Sequence, residues 1–295
     1  MITSPHNDKL KEIRRLQRRR ETRFVAEGED LVAAAEEAGW RAVYRLRAGV
    51  DVEPALLDEV SGLGSGTREL AVYDRRWASP TGPLCVALWG VRDPGNVGTV
   101  IRAALAFGAG SVALGPDSAD PFSPKAVRAS MGAIFAMPVA RVERADELPG
   151  RRIALAARAG TPLQGPLDEP VTILVGAERA GLPADVVAAC DTAAHIPIAT
   201  ESLNAAMAAT VALYEATRGR VADRAPSARR PRTASPASAG PAASAGPAAS
   251  ADPAATAAPA AAPPAAAPEP SAILSTPATA APPAPGLPTV RVPPA

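Results

Sequence analysis

The sequence of 295 residues is long enough for one large domain or two ordinary ones. Its formal net charge of +1 hides a basic N-terminus, because residues 1–24 carry eight Lys or Arg against three Asp or Glu. The cysteine count excludes a disulfide-rich or CxxC metal protein, since the only two, Cys85 and Cys190, lie far apart in or beside apolar runs. We therefore expect buried free thiols and no metal site. Without an apolar leader or an apolar run of membrane length, we also expect a cytoplasmic protein.

The end of the chain has a different composition from the rest. From about Arg224 it consists almost entirely of Ala, Pro, Ser, Gly and Thr, with the near-repeat SAGPAASAGPAASADPAA. Such a segment has few large side chains to offset the entropy of an ordered backbone, and its recurring Pro opposes an Ala-rich helix. We predict that residues 222–295 are a disordered tail and that the rest divides into residues 1–76, a linker at 77–83 and residues 84–221.

The first part of the chain begins with a basic amphipathic pattern. Leu10, Ile13 and Leu16 lie at helical spacing with arginines on the other faces. A strand, a helix ending near Gly39, a strand at 40–48, a helix in EPALLDEVSG and a strand at 70–73 are predicted to follow. This alternation predicts a small α/β unit. The basic residues of its first helix form either a solvated helix face or a surface for a polyanion.

The second part begins with LCVALW, which is typical of a strand buried on both faces. We then predict the polar loop GVRDPGNVG, a helix at 99–107, a strand in SVALG, and a helix with Ser123 as N-cap and Pro124 in first position. Further strands are predicted at 137–142, 153–156, 172–175 and 195–198, before a last helix that starts near Ser202. The pattern predicts an α/β fold whose mostly parallel sheet binds ligands beyond the carboxyl ends of its strands.

Two of the loops at such strand ends carry polar side chains between glycines. In DPGNVGTVIR, Asn96 follows the first strand and Arg102 lies in the next helix, where a guanidinium would grip a phosphate or orient a hydroxyl. In LVGAERAGLP, Glu178 follows Gly176, and the spacing is not that of a dinucleotide fingerprint. Taken singly, these patterns are also typical of a surface arginine and an ordinary glycine-rich turn.

The third loop is HIPIATESLN. It places Ser202 and Asn204 at the start of the last helix, where we predict Ser202 as the N-cap and Asn204 as a first-turn residue. His195 precedes an apolar residue, and we expect its role to be structural. Each of the three loops is a polar turn that follows a predicted strand and precedes a predicted helix.

In their order along the chain and in their residues, these loops resemble the motifs of the SpoU, or TrmH-like, branch of the SPOUT RNA ribose methyltransferases. The matching segments are DPGNVGTVIRAALAFGA, LVGAERAGLP and IPIATESLNAAMAATVALYEATR. DPFSPKAVRASMGAIFAMPV is similar to the family's segment between the first two motifs. SPHNDKLKEIRRLQRRRETRFVAEGEDLV is similar to its ribosomal-protein-like substrate-binding domain. The resemblance covers residues 4–220.

The resemblance implies a C-terminal trefoil-knotted SPOUT domain at 84–221, a small α/β RNA-binding domain at 1–76, and a homodimer. It implies S-adenosylmethionine-dependent methylation of a ribose 2′-hydroxyl in structured RNA, with ribosomal RNA favoured over transfer RNA. Cofactor-binding residues would be Gly176, Ile196 and Leu203. The polar reactive set would be Asn96, Arg102, Glu178, Ser202 and Asn204.

The basic N-terminus would bind RNA backbone through Lys9, Arg14, Arg18, Arg19, Arg20 and Arg23. Two other classes of function stay open. A non-catalytic RNA-binding protein of the same fold need not bind S-adenosylmethionine, so a binding measurement distinguishes it. A nucleotide-dependent Rossmann enzyme is disfavoured by the missing glycine fingerprint.

Overall fold

The computed structural model describes residues 1–63 and 66–220. The predicted tail at 222–295 therefore lies outside the described residues. Within those ranges, no helix combines the length and the apolar character needed to cross a membrane. The described chain forms two β-sheets with their helices, and both sheets belong to one compact unit.

A three-stranded sheet and three helices make up the N-terminal part. They are α1 (Asp8–Arg18), β1 (Arg23–Glu27), α2 (Glu29–Glu37), β2 (Tyr44–Arg47), α3 (Pro54–Val60) and β3 (Glu69–Asp74). β3 lies between β1 and β2 and pairs antiparallel with both. The predicted order of elements is confirmed, although the strand predicted at 40–48 forms only over its second half. Trp40 packs into the core instead.

One face of α1 belongs to the core of this sheet. Leu10, Ile13 and Leu16 are buried and pack in one cluster with Val25 and Leu70. Burial of such a side chain contributes about 1.5–3 kcal/mol. Deleting residues 1–24 would therefore expose the core, so the basic side chains of α1 are best tested by substitution.

The second part is a seven-stranded sheet with five helices in the described residues. Its strands are β4 (Leu84–Leu88), β5 (Ser111–Leu114), β6 (Val139–Arg141), β7 (Arg151–Leu155), β8 (Thr161–Pro162), β9 (Val171–Val175) and β10 (Thr192–His195). Its helices are α4 (Pro94–Ala106), α5 (Pro124–Ser130), α6 (Ala133–Ala136), α7 (Ala184–Ala188) and α8 (Ala205–Thr217). The spatial order is β6-β5-β4-β9-β7-β10-β8, and neighbouring strands pair in parallel. The predicted α/β fold with a mostly parallel sheet is confirmed.

α4 begins five residues earlier than predicted, at Pro94 rather than at 99. Asp93 is its N-cap, because Asp93 Oδ1 accepts hydrogen bonds from the backbone N–H of Gly95 at 2.6 Å and of Asn96 at 3.1 Å. Proline suits the first helical position, where its missing N–H costs nothing. Asn96 therefore lies in the first turn of a helix, and not in a loop as predicted.

The strand predicted at 195–198 was wrong in its position. β10 covers Thr192–His195 and ends before Pro197, which has no N–H to donate to a neighbouring strand. Ile196 and Ile198 follow in the loop. Ser123 does precede α5 with Pro124 in first position, but its side chain makes no capping hydrogen bond.

An aromatic cluster joins the two parts of the chain. Phe24, Trp40 and Tyr73 from the N-terminal part pack against Phe135, and Phe24 also packs against Phe122. The Trp40 indole N–H donates to the backbone oxygen of Phe135 at 2.7 Å. Because these groups are buried together, the N-terminal sheet is fixed relative to the larger sheet.

The segment predicted as a linker runs along the larger sheet. The Ala78 N–H donates to the Val139 oxygen at 2.9 Å. Thr81 accepts a hydrogen bond from the Ser111 hydroxyl at 2.6 Å and donates its N–H to the same hydroxyl at 2.9 Å. These bonds tie residues 77–83 to β5 and β6, while the domain boundaries themselves stay a prediction.

Both cysteines are free thiols. Cys85 is buried in β4, whereas Cys190 is only half-buried, so the prediction of buried thiols is confirmed for Cys85 alone. Desolvation by burial raises the pKa of both thiols. The two thiols are therefore protonated and weakly nucleophilic near neutral pH.

Candidate active site

Three connections leave the carboxyl ends of the parallel strands at one edge of the larger sheet. β4 leads into α4, β9 leads into residues 176–183, and β10 leads into residues 196–204. β4 and β9 are neighbours, and β10 lies two strands beyond β9. Residues that are far apart in sequence therefore meet at this edge, which is where open α/β sheets bind ligands.

The first turn of α4 is held by an ion pair. Lys125 Nζ lies 2.8 Å from Asp93 Oδ2, while Asp93 Oδ1 caps the helix. The hydrogen bond from Lys125 is the main cause that holds the pKa of Asp93 below its usual value, and the backbone N–H groups of Asn96 and Gly95 add to it. These contacts fix the helical turn that carries Asn96.

The loop after β9 folds into a tight turn. Ala177 and Gly181 exchange two backbone hydrogen bonds of 3.1 and 2.8 Å, and Gly181 has a φ of +67°, which glycine adopts at little cost. Gly176 is packed so closely that an added Cβ would collide with the backbone of Gly181 and Leu182. The turn places Glu178 against α4 and the start of α8.

Asn96, Glu178 and Asn204 form a hydrogen-bonded group that we call the polar trio. Asn96 Nδ2 and Asn204 Nδ2 each donate to Glu178 Oε1 at 2.6 Å. Asn204 Nδ2 also lies 3.2 Å from Asn96 Oδ1, to which it donates. One residue of the trio follows each of β4, β9 and β10, with separations of 82, 26 and 108 positions along the chain.

Asn204 is also the N-cap of α8, the role predicted for Ser202. Its Oδ1 accepts hydrogen bonds from the N–H of Ala206 at 2.9 Å and of Met207 at 3.3 Å, so the helix begins at Ala205. The prediction for Ser202 was wrong because Asn caps a helix as well as Ser does. Here Glu178 also holds the Asn204 amide in the capping position.

A cavity of about 610 Å³ lies beside the trio, between the ends of β7 and β9 and the loop after β10. Its walls include the three residues predicted to hold a cofactor, Gly176, Ile196 and Leu203. Glu178 and Ser202 line it as well, so the cavity and the trio share a boundary. Its volume falls within the range of small-molecule sites, about 300–1,000 Å³.

Sequence reasoning missed much of the aliphatic wall of this cavity. The additional residues include Leu155, Ala156, Leu182, Val187, Ile198 and Ala208. In the sequence such residues are indistinguishable from core residues. Among these residues, only Leu155 could have been assigned to the cavity from the sequence, because it lies at the carboxyl end of a strand.

Arg102 does not join the polar trio. It lies further along α4 than Asn96, its side chain is exposed, and it makes no hydrogen bond or ion pair with the rest of residues 1–63 and 66–220. Leu105, one turn later on the same face, is also exposed. Arg102 therefore faces outward from the chain.

The six basic residues predicted to contact RNA divide into two groups. In the first group, Arg14 pairs with Glu59 at 2.8 Å, Arg23 pairs with Glu12 at 3.0 Å, and the Lys9 ammonium lies over an aromatic ring. The second group lines a groove away from the cavity and consists of Arg18, Arg19 and Arg20.

The chain is similar to known RNA methyltransferases. The sequence profile of the SpoU rRNA methylase family matches residues 83–214. A 23S rRNA (uridine(2479)-2′-O)-methyltransferase of Streptomyces viridochromogenes is 40% identical over 147 residues, which cover 45% of this chain and 51% of the relative. An uncharacterized tRNA/rRNA methyltransferase of Synechocystis is 30% identical over 255 residues, covering 74% of this chain and 93% of the relative.

A solved structure has the same fold. The AdoMet-bound rRNA methyltransferase of Sinorhizobium meliloti superposes with a TM-score of 0.68 at 30% identity, over 74% of this chain and 97% of that one. The chain spans about half the length of the Streptomyces relative, and nearly all of the Synechocystis and Sinorhizobium proteins. The segment that matches the family profile carries the whole polar trio. The chain therefore belongs to the SpoU rRNA methylase family.

Proposed function

We propose that the protein is an S-adenosylmethionine-dependent methyltransferase that modifies a ribose 2′-hydroxyl in ribosomal RNA. The observation that carries this proposal is the polar trio beside a cavity of about 610 Å³. The Streptomyces relative methylates a 2′-oxygen of 23S rRNA, and the Sinorhizobium structure contains AdoMet. Transfer RNA is the alternative substrate, because the Synechocystis relative is described as a tRNA/rRNA methyltransferase. A ribosomal substrate would place the protein in the cytoplasm.

The walls of the cavity suit S-adenosylmethionine. Gly176 lines the cavity without a side chain, so a ligand can approach its backbone closely, as hydrogen bonds to the edge of an adenine require. Ile196 and Leu203 supply apolar surface for its ring. We propose that these three residues hold the cofactor. Once bound, the cofactor supplies an electrophilic methyl group on a sulfonium sulfur.

The residues of the chain would then align the attacking ribose oxygen, which must approach in line at a near-attack distance. Asn96 and Ser202 would hydrogen-bond to the 2′-hydroxyl and fix the orientation of the lone pairs on its oxygen. Glu178 would hold the amides of Asn96 and Asn204 in one orientation, because a single carboxylate oxygen accepts from both. Glu178 and Asn204 therefore act through Asn96 and position it.

Arg102 would bind a phosphate of the target nucleotide. A guanidinium stays protonated in proteins, which argues against a role as the base. The exposure of Arg102 suits a contact with RNA. Its planar fork can bind two phosphate oxygens at once.

Asn204→Asp separates the two roles of this residue. The aspartate side chain would keep the N-cap of α8, since Asp caps as well as Asn, so we expect little change in melting temperature. The Nδ2 donor would be replaced by a second carboxylate oxygen facing Glu178, and we expect methyl transfer to fall about tenfold, the equivalent of one lost hydrogen bond. Adding Glu178→Gln would restore a donor and an acceptor. Failure of this double variant to recover activity would contradict the positioning role.

We propose that two copies of the chain associate through a face made by α4 and α8. Met207, Val211 and Tyr214 form a stripe along α8 and are 62%, 39% and 55% exposed, and Leu105 of α4 is 41% exposed. Exposed apolar stripes of this kind are typical of protein interfaces. Arg102 lies one turn before Leu105, so it would lie at the rim of the interface.

We also propose that the C-terminal segment is threaded into the family's trefoil knot. β10 lies beyond β7 in the sheet, while α8 returns across the molecule to pack on α4. A chain that passes through an earlier loop would have this arrangement.

Placing a charge in the centre of the α8 stripe should disrupt the dimer. We expect Val211→Glu to sediment as a monomer, because burying an unpaired carboxylate in an apolar interface is costly. Val50→Glu, at a valine that is 58% exposed in the N-terminal part, is the matched control and should remain a dimer. A dimeric Val211→Glu protein would contradict this interface, and a monomeric wild type would contradict the dimer itself.

Calorimetric titration with S-adenosylmethionine distinguishes the enzyme from a non-catalytic RNA-binding protein of the same fold. We expect one cofactor to bind per chain. A wild-type protein that takes up no cofactor at millimolar concentration would contradict the proposed function and favour the RNA-binding alternative.

A further inference from the structure

A second groove, of about 550 Å³, separates the C-terminal end of α1 from the loops that follow β4 and β5. Its basic residues come from both parts of the chain, because Arg18, Arg19 and Arg20 line one side and Arg92 lies on the other. We call this feature the arginine groove. It does not include any residue of the polar trio or of the cofactor cavity.

The arginines of the groove are available to an outside ligand. Among the described residues, the ion pairs formed by basic residues 9–23 do not involve Arg18, Arg19 or Arg20. Arg92 lies 3.6 Å from Asp117, but both side chains are more than 70% exposed. Such an exposed pair is weak and is easily exchanged for a stronger anion.

The remaining carboxylate of the groove is already neutralised. Asp120 is buried and lies 2.8 Å from the equally buried Arg75, whose Nε also contacts the Arg23 backbone oxygen. This pair ties the loop after β5 to the N-terminal sheet. Ser123 also lines the groove, and its buried hydroxyl has no hydrogen-bond partner among the described residues. The groove is thus a channel in which arginines outnumber the carboxylates.

The groove leads toward the proposed reactive centre. Pro94 lines the groove and is the first residue of α4, while Asn96 of the polar trio lies in the same helical turn. An RNA strand whose phosphates occupied the groove would therefore reach the edge of the larger sheet beside the trio. The aromatic cluster packs the N-terminal sheet, which carries one side of the groove, against the part of the chain that carries the trio.

We propose that the arginine groove binds the backbone phosphates of the RNA strand next to the target nucleotide. The inference rests on the proposed function, which supplies RNA as the ligand. Arginine forks suit phosphate oxygens, and such contacts position a nucleic acid without reading its sequence. Of the basic residues from Lys9 to Arg23, those of the groove bind RNA, whereas Arg14 and Arg23 stabilise the N-terminal part through their ion pairs.

The test compares two double variants of the full chain that remove the same charge. Arg20→Gln/Arg92→Gln takes one arginine from each side of the groove. Arg41→Gln/Arg68→Gln removes two exposed arginines of the N-terminal part outside it. Binding of a short mixed-sequence oligoribonucleotide is measured by fluorescence anisotropy over a range of KCl concentrations, and cofactor binding is measured by calorimetry.

For the groove variant, we expect the slope of log affinity against log salt to become shallower by about 1.4, because each lost phosphate contact on a single strand contributes about 0.7. The control variant should change the slope by less than half as much. Cofactor affinity should stay unchanged in both. An equal change in the two variants, or none in the groove variant, would overturn the inference. A failure of the proposed function would appear separately, as a wild type that binds no S-adenosylmethionine.

Discussion

Replacing Gly176 by Ala is expected to raise the dissociation constant for S-adenosylmethionine by about 100-fold, which corresponds to roughly 3 kcal/mol and to the upper range for overpacking. The added Cβ would collide with the backbone of Gly181 and Leu182. The turn that carries Glu178 would have to move, so the cavity wall and the polar trio would be displaced together. Calorimetry measures the loss of cofactor binding, and a methyl-transfer assay should show a parallel loss of activity.

Gly62→Ala is the control for this substitution. It adds the same methyl group in the N-terminal part, outside the cavity, where the new Cβ would meet the end of the Arg128 side chain. This flexible side chain can move aside, and we expect cofactor affinity to stay within about twofold of the wild type. Thermal melting of both variants checks that the fold is intact. A folded Gly176→Ala protein with wild-type cofactor affinity would show that the cofactor does not occupy this cavity.

Replacing Arg102 by Lys is expected to lower turnover by about 100-fold, the loss that follows from poor alignment of a reacting group. The positive charge would remain, but the planar fork that binds two phosphate oxygens would be lost. Arg102 does not line the cofactor cavity, so cofactor affinity should stay nearly unchanged. Single-turnover measurement of methyl transfer to RNA separates this effect on turnover from any effect on binding.

Arg144→Lys is the corresponding control, because Arg144 is exposed and pairs only with Asp146 in the described ranges. We expect its turnover to match the wild type. If Arg102→Lys also transferred methyl groups at the wild-type rate, Arg102 would have no part in aligning the substrate.

Much of the fold follows from patterns that are local in the sequence. β4 is a continuous apolar run and β9 is apolar except for Thr172, and both are fully buried in the centre of the parallel sheet. The rule that ligands bind at the carboxyl ends of parallel strands placed the three loops at one edge. It did not specify which atoms would meet. The bonds of Asn96 and Asn204 to Glu178 depend on the strand order, in which β9 lies beside β4.

Errors arose where two local signals competed. The polar segment GVRDPGNVG was predicted as a loop, but the capping side chain of Asp93 and the proline after it start α4 there despite the low helix propensity of the glycines that follow. At the last helix, Ser202 was predicted as the N-cap and Asn204 as a first-turn residue, although both residue types cap helices. The partner that decides between them is Glu178, which lies on another loop and is invisible to a local pattern.

The arginine groove shows what sequence patterns cannot supply. A run of three arginines was visible at the end of α1, and a polyanion surface was one of two interpretations. The pairing of that run with Arg92 depends on how the two sheets pack. The ion pair of Arg14 with Glu59 likewise depends on the tertiary fold, so charge counting alone could not divide the basic residues into two groups.

The proposed function requires that this chain transfers a methyl group to a ribose oxygen of ribosomal RNA. The most direct measurement incubates the full chain with methyl-labelled S-adenosylmethionine and bacterial ribosomal RNA, digests the product to nucleosides and identifies the labelled one by mass spectrometry. We expect a 2′-O-methylated nucleoside, with a yield that falls about tenfold for the Asn204→Asp protein. Label on a base, or no label on ribosomal RNA, would contradict the proposed function.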